Sequence, residues 1–183
     1  MKAALPFALC LMLIVLSGCQ ATSSTSKPTV EPTSCGSVKN MHRVGDLYLA
    51  GRPTPDDYPL LKELGIKTVF NIRYDKETPD LDSARLAEAQ GMTYIHLPWN
   101  GPGELTDEKI DAMRKVLRDA ERPLFFHCGS ANRVGAHWLA WRVLDGGLTI
   151  EEATAEAEAV GLRSPPLKAR ALEYIAAQQA GEG

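Results

Sequence analysis

From about Met41 onward, short apolar runs alternate with stretches whose apolar positions recur at helical spacing, and this alternation limits the possible folds more than any other feature. Leu47–Ala50, Lys67–Ile72, Thr93–Leu97 and Pro123–His127 read as strands, the second for its β-branched and aromatic side chains, the third and fourth as buried ones. Helices are expected over Asp56–Leu64, ended by Gly65, and from a Thr78–Pro79 start to Gln90. A third begins behind Thr106 and places Ile110, Met113, Leu117 and Ala120 on one face. Val134–Leu144, a segment opened by the capping box Thr149/Glu152, and one starting at Ser164–Pro165 complete the set. Strands alternating with helices imply right-handed crossovers. The expected fold is therefore α/β, a mainly parallel central sheet of about four or five strands flanked by helices. In such sheets ligands bind beyond the carboxyl ends of the strands, so chemistry is expected just after Leu97 or just after His127.

The segment after His127 carries it. A buried strand delivers Cys128 into a loop of small residues, Gly129, Ser130, Ala131 and Asn132, and a helix starts at Arg133. Backbone N–H groups around such a loop, with the helix N-terminus behind them, form an anion cradle whose field also favours a thiolate. An arginine at the helix start supplies a bidentate fork for phosphate oxygens. Nucleophile, cradle and clamp are what phosphoryl transfer to sulfur needs.

His-Cys, a small-residue loop and Arg resemble the signature of the protein tyrosine and dual-specificity phosphatases. The likeness extends upstream through Leu49-Ala50-Gly51-Arg52-Pro53 and Leu60 to Arg73, which resemble the opening of the compact dual-specificity type. The resemblance implies a phosphomonoester hydrolase with no cofactor or metal, a cysteinyl-phosphate on Cys128, Arg133 holding the phosphoryl group, and Gly129–Asn132 contributing backbone amides. Only four residues separate Cys128 from Arg133, where the usual family loop has five. The shorter loop resembles a bacterial branch, the phosphatase-like domain also found in β-lactamase-hydrolase-like proteins. Ala131 stands where that branch commonly has glycine, and Val134 where the family usually has a hydroxyl residue to help the thiolate leave. The general acid of the family is an Asp on the loop after the preceding strand. Here Pro98–Glu104 contains none, so Glu104 is the nearest candidate, with Asp75 as another. Arg73 reads as a surface ion pair, His127 as a loop-orienting group, and Glu151, Glu152, Glu156 and Glu158 as a solvated helix face.

Two other readings use the same residues. A rhodanese-type sulfurtransferase has a Cys loop of this length but carries a persulfide, and no Gly-His-Ile-Pro-Gly-like segment precedes the third strand. A catalytically weak domain that only binds phosphorylated ligands would suit Val134 and the missing Asp.

The N-terminal residues have a separate logic. Met1-Lys2 and the apolar run Ala3–Leu16 have the length of a signal-peptide core, too short for a spanning helix. Leu16-Ser17-Gly18-Cys19 resembles the lipobox of bacterial lipoproteins, which implies cleavage before Cys19 and a diacylglycerol on its thiol. The expected organisation is a signal over 1–18, a lipidated flexible tether over 19–40 rich in Ser, Thr and Pro, and a phosphatase-like domain over 41–183. By analogy with enterobacterial lipoprotein sorting, Gln20 in place of Asp leans toward the periplasmic side of the outer membrane, with the inner membrane as the alternative. A net charge of −3 offers nothing to nucleic acid, and the four histidines are scattered without metal-ligand spacing.

Overall fold

A computed structural model describes residues 27–181, so the signal, the lipobox and Cys19 lie outside the described residues. The fold is α/β around one mixed six-stranded sheet with strand order β1-β2-β3-β6-β4-β5. The strands are β1 (Glu31–Pro32), β2 (His42–Val44), β3 (Leu47–Ala50), β4 (Thr68–Asn71), β5 (Thr93–His96) and β6 (Leu124–His127). The helices are α1 (Asp57–Glu63), α2 (Ser83–Ala89), α3 (Asp107–Asp119), α4 (Asn132–Leu144), α5 (Ile150–Val160) and α6 (Pro165–Gly181).

β3, β6, β4 and β5 form the expected parallel core, in register so that Ala50, His127, Asn71 and His96 end side by side. Strand alternation splits the side chains between two apolar layers. Leu47, Leu49, Phe70, Leu124 and Phe126 pack toward α3, α4, α5 and α6; Tyr48, Ala50, Val69 and Phe125 pack toward α1 and α2. Burial on both faces explains why β3, β4 and β6 read as unbroken apolar runs. α4 lies in the middle of its layer and is buried nearly all round, which removes its amphipathic stripe.

Four expectations are corrected. The sheet gains two short antiparallel strands, β1 and β2, which hold a single buried apolar side chain, Val44, and so left no apolar run to read. The tether does not extend to residue 40: β1 pairs with β2, and Cys35 and Val38 are buried, so the later part of that segment belongs to the domain. α2 begins at Ser83 behind Asp82, whose carboxylate accepts from the Arg85 N–H at 3.0 Å, because the Thr78 hydroxyl is occupied by Arg73. β5 is a half-exposed edge strand rather than a buried one. The caps at Thr106 and Thr149 and the left-handed Gly65 are as expected.

Candidate active site

The parallel register brings three strand ends against the Cys128 loop. The Cys128 N–H donates to the Ala50 carbonyl at 3.2 Å, and the Ile72 N–H to the His127 carbonyl at 3.2 Å. The Arg52 N–H donates to the Gly129 carbonyl at 3.3 Å, and the Ser130 carbonyl accepts from Asn40 Nδ2 at 3.0 Å and from Arg163 Nη2 at 3.1 Å. With these carbonyls held from outside, the N–H groups of Gly129 and Ser130 have no protein acceptor among the described residues. The first N–H groups of α4 are unpaired by helix geometry as well. The Asn132 side chain has a further role: its Oδ1 accepts from the Arg163 and Ser164 N–H groups at 2.8 and 3.2 Å, tying the start of α6 to the loop.

Ala131 closes the turn with φ +67°, a left-handed conformation that a side chain adopts at a cost of about 1–2 kcal/mol. Its methyl group is fully buried, so packing offsets part of that strain.

Cys128, Gly129, Ser130, Asn132 and Arg133 line one cavity of about 230 Å³, closed by Asn100, Gly101, Pro102, Ser164 and Leu167. The Cys128 side chain is almost wholly buried, with the Arg133 guanidinium beside it. Burial works against the Arg133 charge, but hydrogen bonds to Glu77 and the neighbouring Cys128 outweigh it and push its pKa up.

Glu77 is the residue that sequence reasoning missed. Its carboxylate accepts from Arg133 Nη1 at 2.9 Å and Nη2 at 2.6 Å, while Nη1 also donates to the Trp99 carbonyl at 2.7 Å. The Tyr74 N–H donates to Glu77 at 3.0 Å, and Arg73 Nε lies 3.6 Å away. Burial opposes the Glu77 charge; the Arg133 and Tyr74 hydrogen bonds and the nearby guanidinium groups prevail and hold its carboxyl below the usual range. The available signal was its place in the loop following a central strand. Arg73, expected at the surface, is instead buried beneath this loop and donates to the Thr78 hydroxyl at 2.9 Å.

Glu104 is not brought to the cavity. Its carboxylate accepts from the Tyr74 hydroxyl and the Asn100 N–H, both at 2.8 Å, and these bonds hold it below the ordinary carboxyl pKa. Asp75 is highly exposed and lies 3.8 Å from His96 Nε2. None of the residues lining the Cys128 cavity is a carboxylate. His127 is fully buried, and desolvation, then the nearby Arg73, push its pKa down to about 3, so the ring stays neutral. Glu156 also departs from expectation, pairing with Arg142 at 2.6 Å instead of facing solvent. Among the described residues no cluster of three or more His, Cys, Asp or Glu could hold a metal.

A parallel sheet that delivers a cysteine into an amide-rich loop, with an arginine on the following helix facing the same cavity, defines a phosphatase-like α/β protein. The family model for the phosphatase-like domain of β-lactamase hydrolase-like protein matches residues 43–144, and the chain belongs to that family. A β-lactamase hydrolase-like protein from Agrobacterium fabrum is 34% identical over 104 residues, covering 55% of this chain and 24% of the relative. One from Xylella fastidiosa is 27% identical over 120 residues, 63% of this chain and 27% of the relative. The chain thus spans about a quarter of the length of these relatives. Among solved structures, Pseudomonas aeruginosa TpbA superposes with a TM-score of 0.66 at 22% identity, covering 83% of this chain and 91% of TpbA.

Proposed function

We propose that the domain hydrolyses phosphomonoesters through a cysteinyl-phosphate on Cys128. The observation that carries this reading is the shared cavity in which Cys128, the loop and Arg133 meet, with Glu77 pre-setting the guanidinium. Cys128 Sγ, as thiolate, attacks phosphorus; the S–P bond forms as the ester P–O bond breaks. Arg133 and the free N–H groups neutralise the equatorial oxygens. Water then attacks the phosphocysteine, releasing inorganic phosphate and the thiolate. With no carboxylate lining the cavity, the leaving oxygen takes its proton from solvent, which favours esters of acidic alcohols and phenols. A phosphorylated substrate is supported by TpbA, a Cys-to-Ser variant of which was solved in complex with phosphotyrosine.

In the same reading Cys19 carries the lipid, and the domain works on the periplasmic side of the outer membrane. Replacing Cys19 by alanine is expected to move the protein from membranes to the soluble fraction.

Brief exposure to an activated aryl phosphate, followed by acid quench and peptide mass analysis, is expected to find phosphate on Cys128. Hydrolysis that survives unchanged in Cys128→Ser overturns the mechanism. A specific observation favours the binding-only alternative: Val134 offers no hydroxyl beside the sulfur, and no acid lines the cavity. In that case a phosphorylated ligand binds in the Cys128 cavity, and neither phosphate on Cys128 nor turnover is found.

A further inference from the structure

Next to the Cys128 cavity is a second one of about 440 Å³, lined by Ser37, Lys39, Arg52, Thr54, Gly129 and Ser130. The two share Gly129 and Ser130, so the nucleophile loop is the wall between them. Its other walls are fixed. The Gly51 N–H donates to the Lys39 carbonyl at 2.8 Å, an approach so close that a Cβ at Gly51 would sit 2.8 Å from that oxygen. The adjacent Arg52 N–H holds the Gly129 carbonyl, so Arg52 is tied through its backbone to the loop, and Lys39 to Gly51 beside it.

The floor is built by a buried carboxylate. Asp57 accepts from the Ser37 N–H at 2.7 Å, Ser37 Oγ at 2.8 Å, the Thr54 N–H at 2.7 Å and Thr54 Oγ1 at 2.9 Å. The Ser37 and Thr54 hydroxyl protons are thereby committed to Asp57, which leaves Lys39 and Arg52 as the charged side-chain donors to a ligand, beside the Ser130 hydroxyl. Both are exposed, and among the described residues neither lies within 4.0 Å of a carboxylate. Lys39 and Arg52 are thus two cations with no salt-bridge partner among the described residues at a fixed hollow against the nucleophile loop, while the charge of Asp57 beneath is met by its four hydrogen bonds.

We infer that this hollow is a second anion subsite, and that the favoured substrate is a phosphomonoester bearing another anionic group, phosphate or carboxylate, on the same molecule. The inference rests on the phosphatase reading, because the first anion is the one placed at Cys128. Lys39 and Arg52 would act as specificity residues: they draw the second charge and do not touch the reacting phosphorus.

The test is a calorimetric titration of the Cys128→Ser chain, which cannot form the phosphocysteine. The probes are alkane bisphosphates of increasing length, phosphoalkyl carboxylates of the same lengths, and the matching alkyl monophosphates. At one best length, at least one doubly anionic series is expected to bind about tenfold tighter than the monophosphate, and its identity tells phosphate from carboxylate. The advantage is expected to vanish when Lys39→Ala and Arg52→Ala are added, to return partly with Arg52→Lys, and to fall at about 0.5 M salt. Both side chains are exposed, so these variants keep the fold. Equal affinity for mono- and dianions, no binding of either, or an advantage that persists in the double variant overturns the subsite. The phosphatase reading is judged separately, by hydrolysis of an aryl phosphate with the unmodified chain, and its failure leaves the binding result intact.

Discussion

Glu77 grips Arg133 through two hydrogen bonds, 2.9 Å to Nη1 and 2.6 Å to Nη2, across 56 residues of sequence. With both Nη1 protons and one Nη2 proton taken by Glu77 and the Trp99 carbonyl, the edge left for phosphate is Nε and the remaining Nη2 proton, oriented before any ligand arrives. Such preorganisation is worth most where the developing charge is met by fixed donors.

Replacing Glu77 by glutamine keeps the shape but removes the charge and one acceptor. Aryl phosphatase kcat/KM is expected to fall by about ten- to a hundredfold, and unfolding free energy by about 1–3 kcal/mol. Steady-state kinetics and urea melts of the variant read both. Unchanged kinetics would deny Glu77 any part in positioning Arg133.

Glu104 is expected to behave unlike a general acid. Loss of such an acid costs about 10²–10⁴ in rate. Because its carboxylate is taken up by Tyr74 and Asn100, Glu104→Gln should lower kcat for a poor leaving group by less than tenfold. A hundredfold loss confined to poor leaving groups would restore it as the acid.

Stability should fall on mild acidification. His127 and His137 are fully buried, and desolvation, with Arg73 adding to it at His127, brings each to about 3 from an ordinary value of 6.5. The folded pKa is depressed, so the unfolded chain binds more protons, and the stabilisation present above pH 6.5 is lost as pH falls toward 3. Each group contributes a slope of about 1.4 kcal/mol per pH unit in that window. Neither ring nitrogen of His137 has a partner, and the ring packs edge-on against Trp99 at 5.2 Å. His137→Phe is therefore expected to remove one of the two slopes in denaturant melts run between pH 6 and 4, without loss of stability at pH 7.

At Ala131 glycine should be accepted. Relief of the left-handed strain, about 1–2 kcal/mol, outweighs loss of a buried methyl at about 0.8 kcal/mol. A urea midpoint equal to or slightly above that of the unmodified chain is the expected outcome; a clear drop would mean that the methyl packing dominates.

Much of this protein is local, and the local part was legible. Cys128 to Arg133 is one continuous strand-loop-helix, so its chemistry could be read from adjacent residues without knowing the fold. The strands β3, β4 and β6 announced themselves because burial on both faces writes an unbroken apolar run. β1 and β2 did not, since strands of two and three residues are too short to write an alternating pattern and draw their stability from pairing. The partner of Arg133 was decided by tertiary structure alone. An arginine fork takes any carboxylate that geometry delivers, and the chain offers 23 acids. Only the parallel register, which sets the ends of β4 and β6 side by side, selects Glu77 and leaves Glu104 with Tyr74. The same register sets Lys39 and Arg52 against the Cys128 loop, a neighbourhood that no spacing in the sequence encodes.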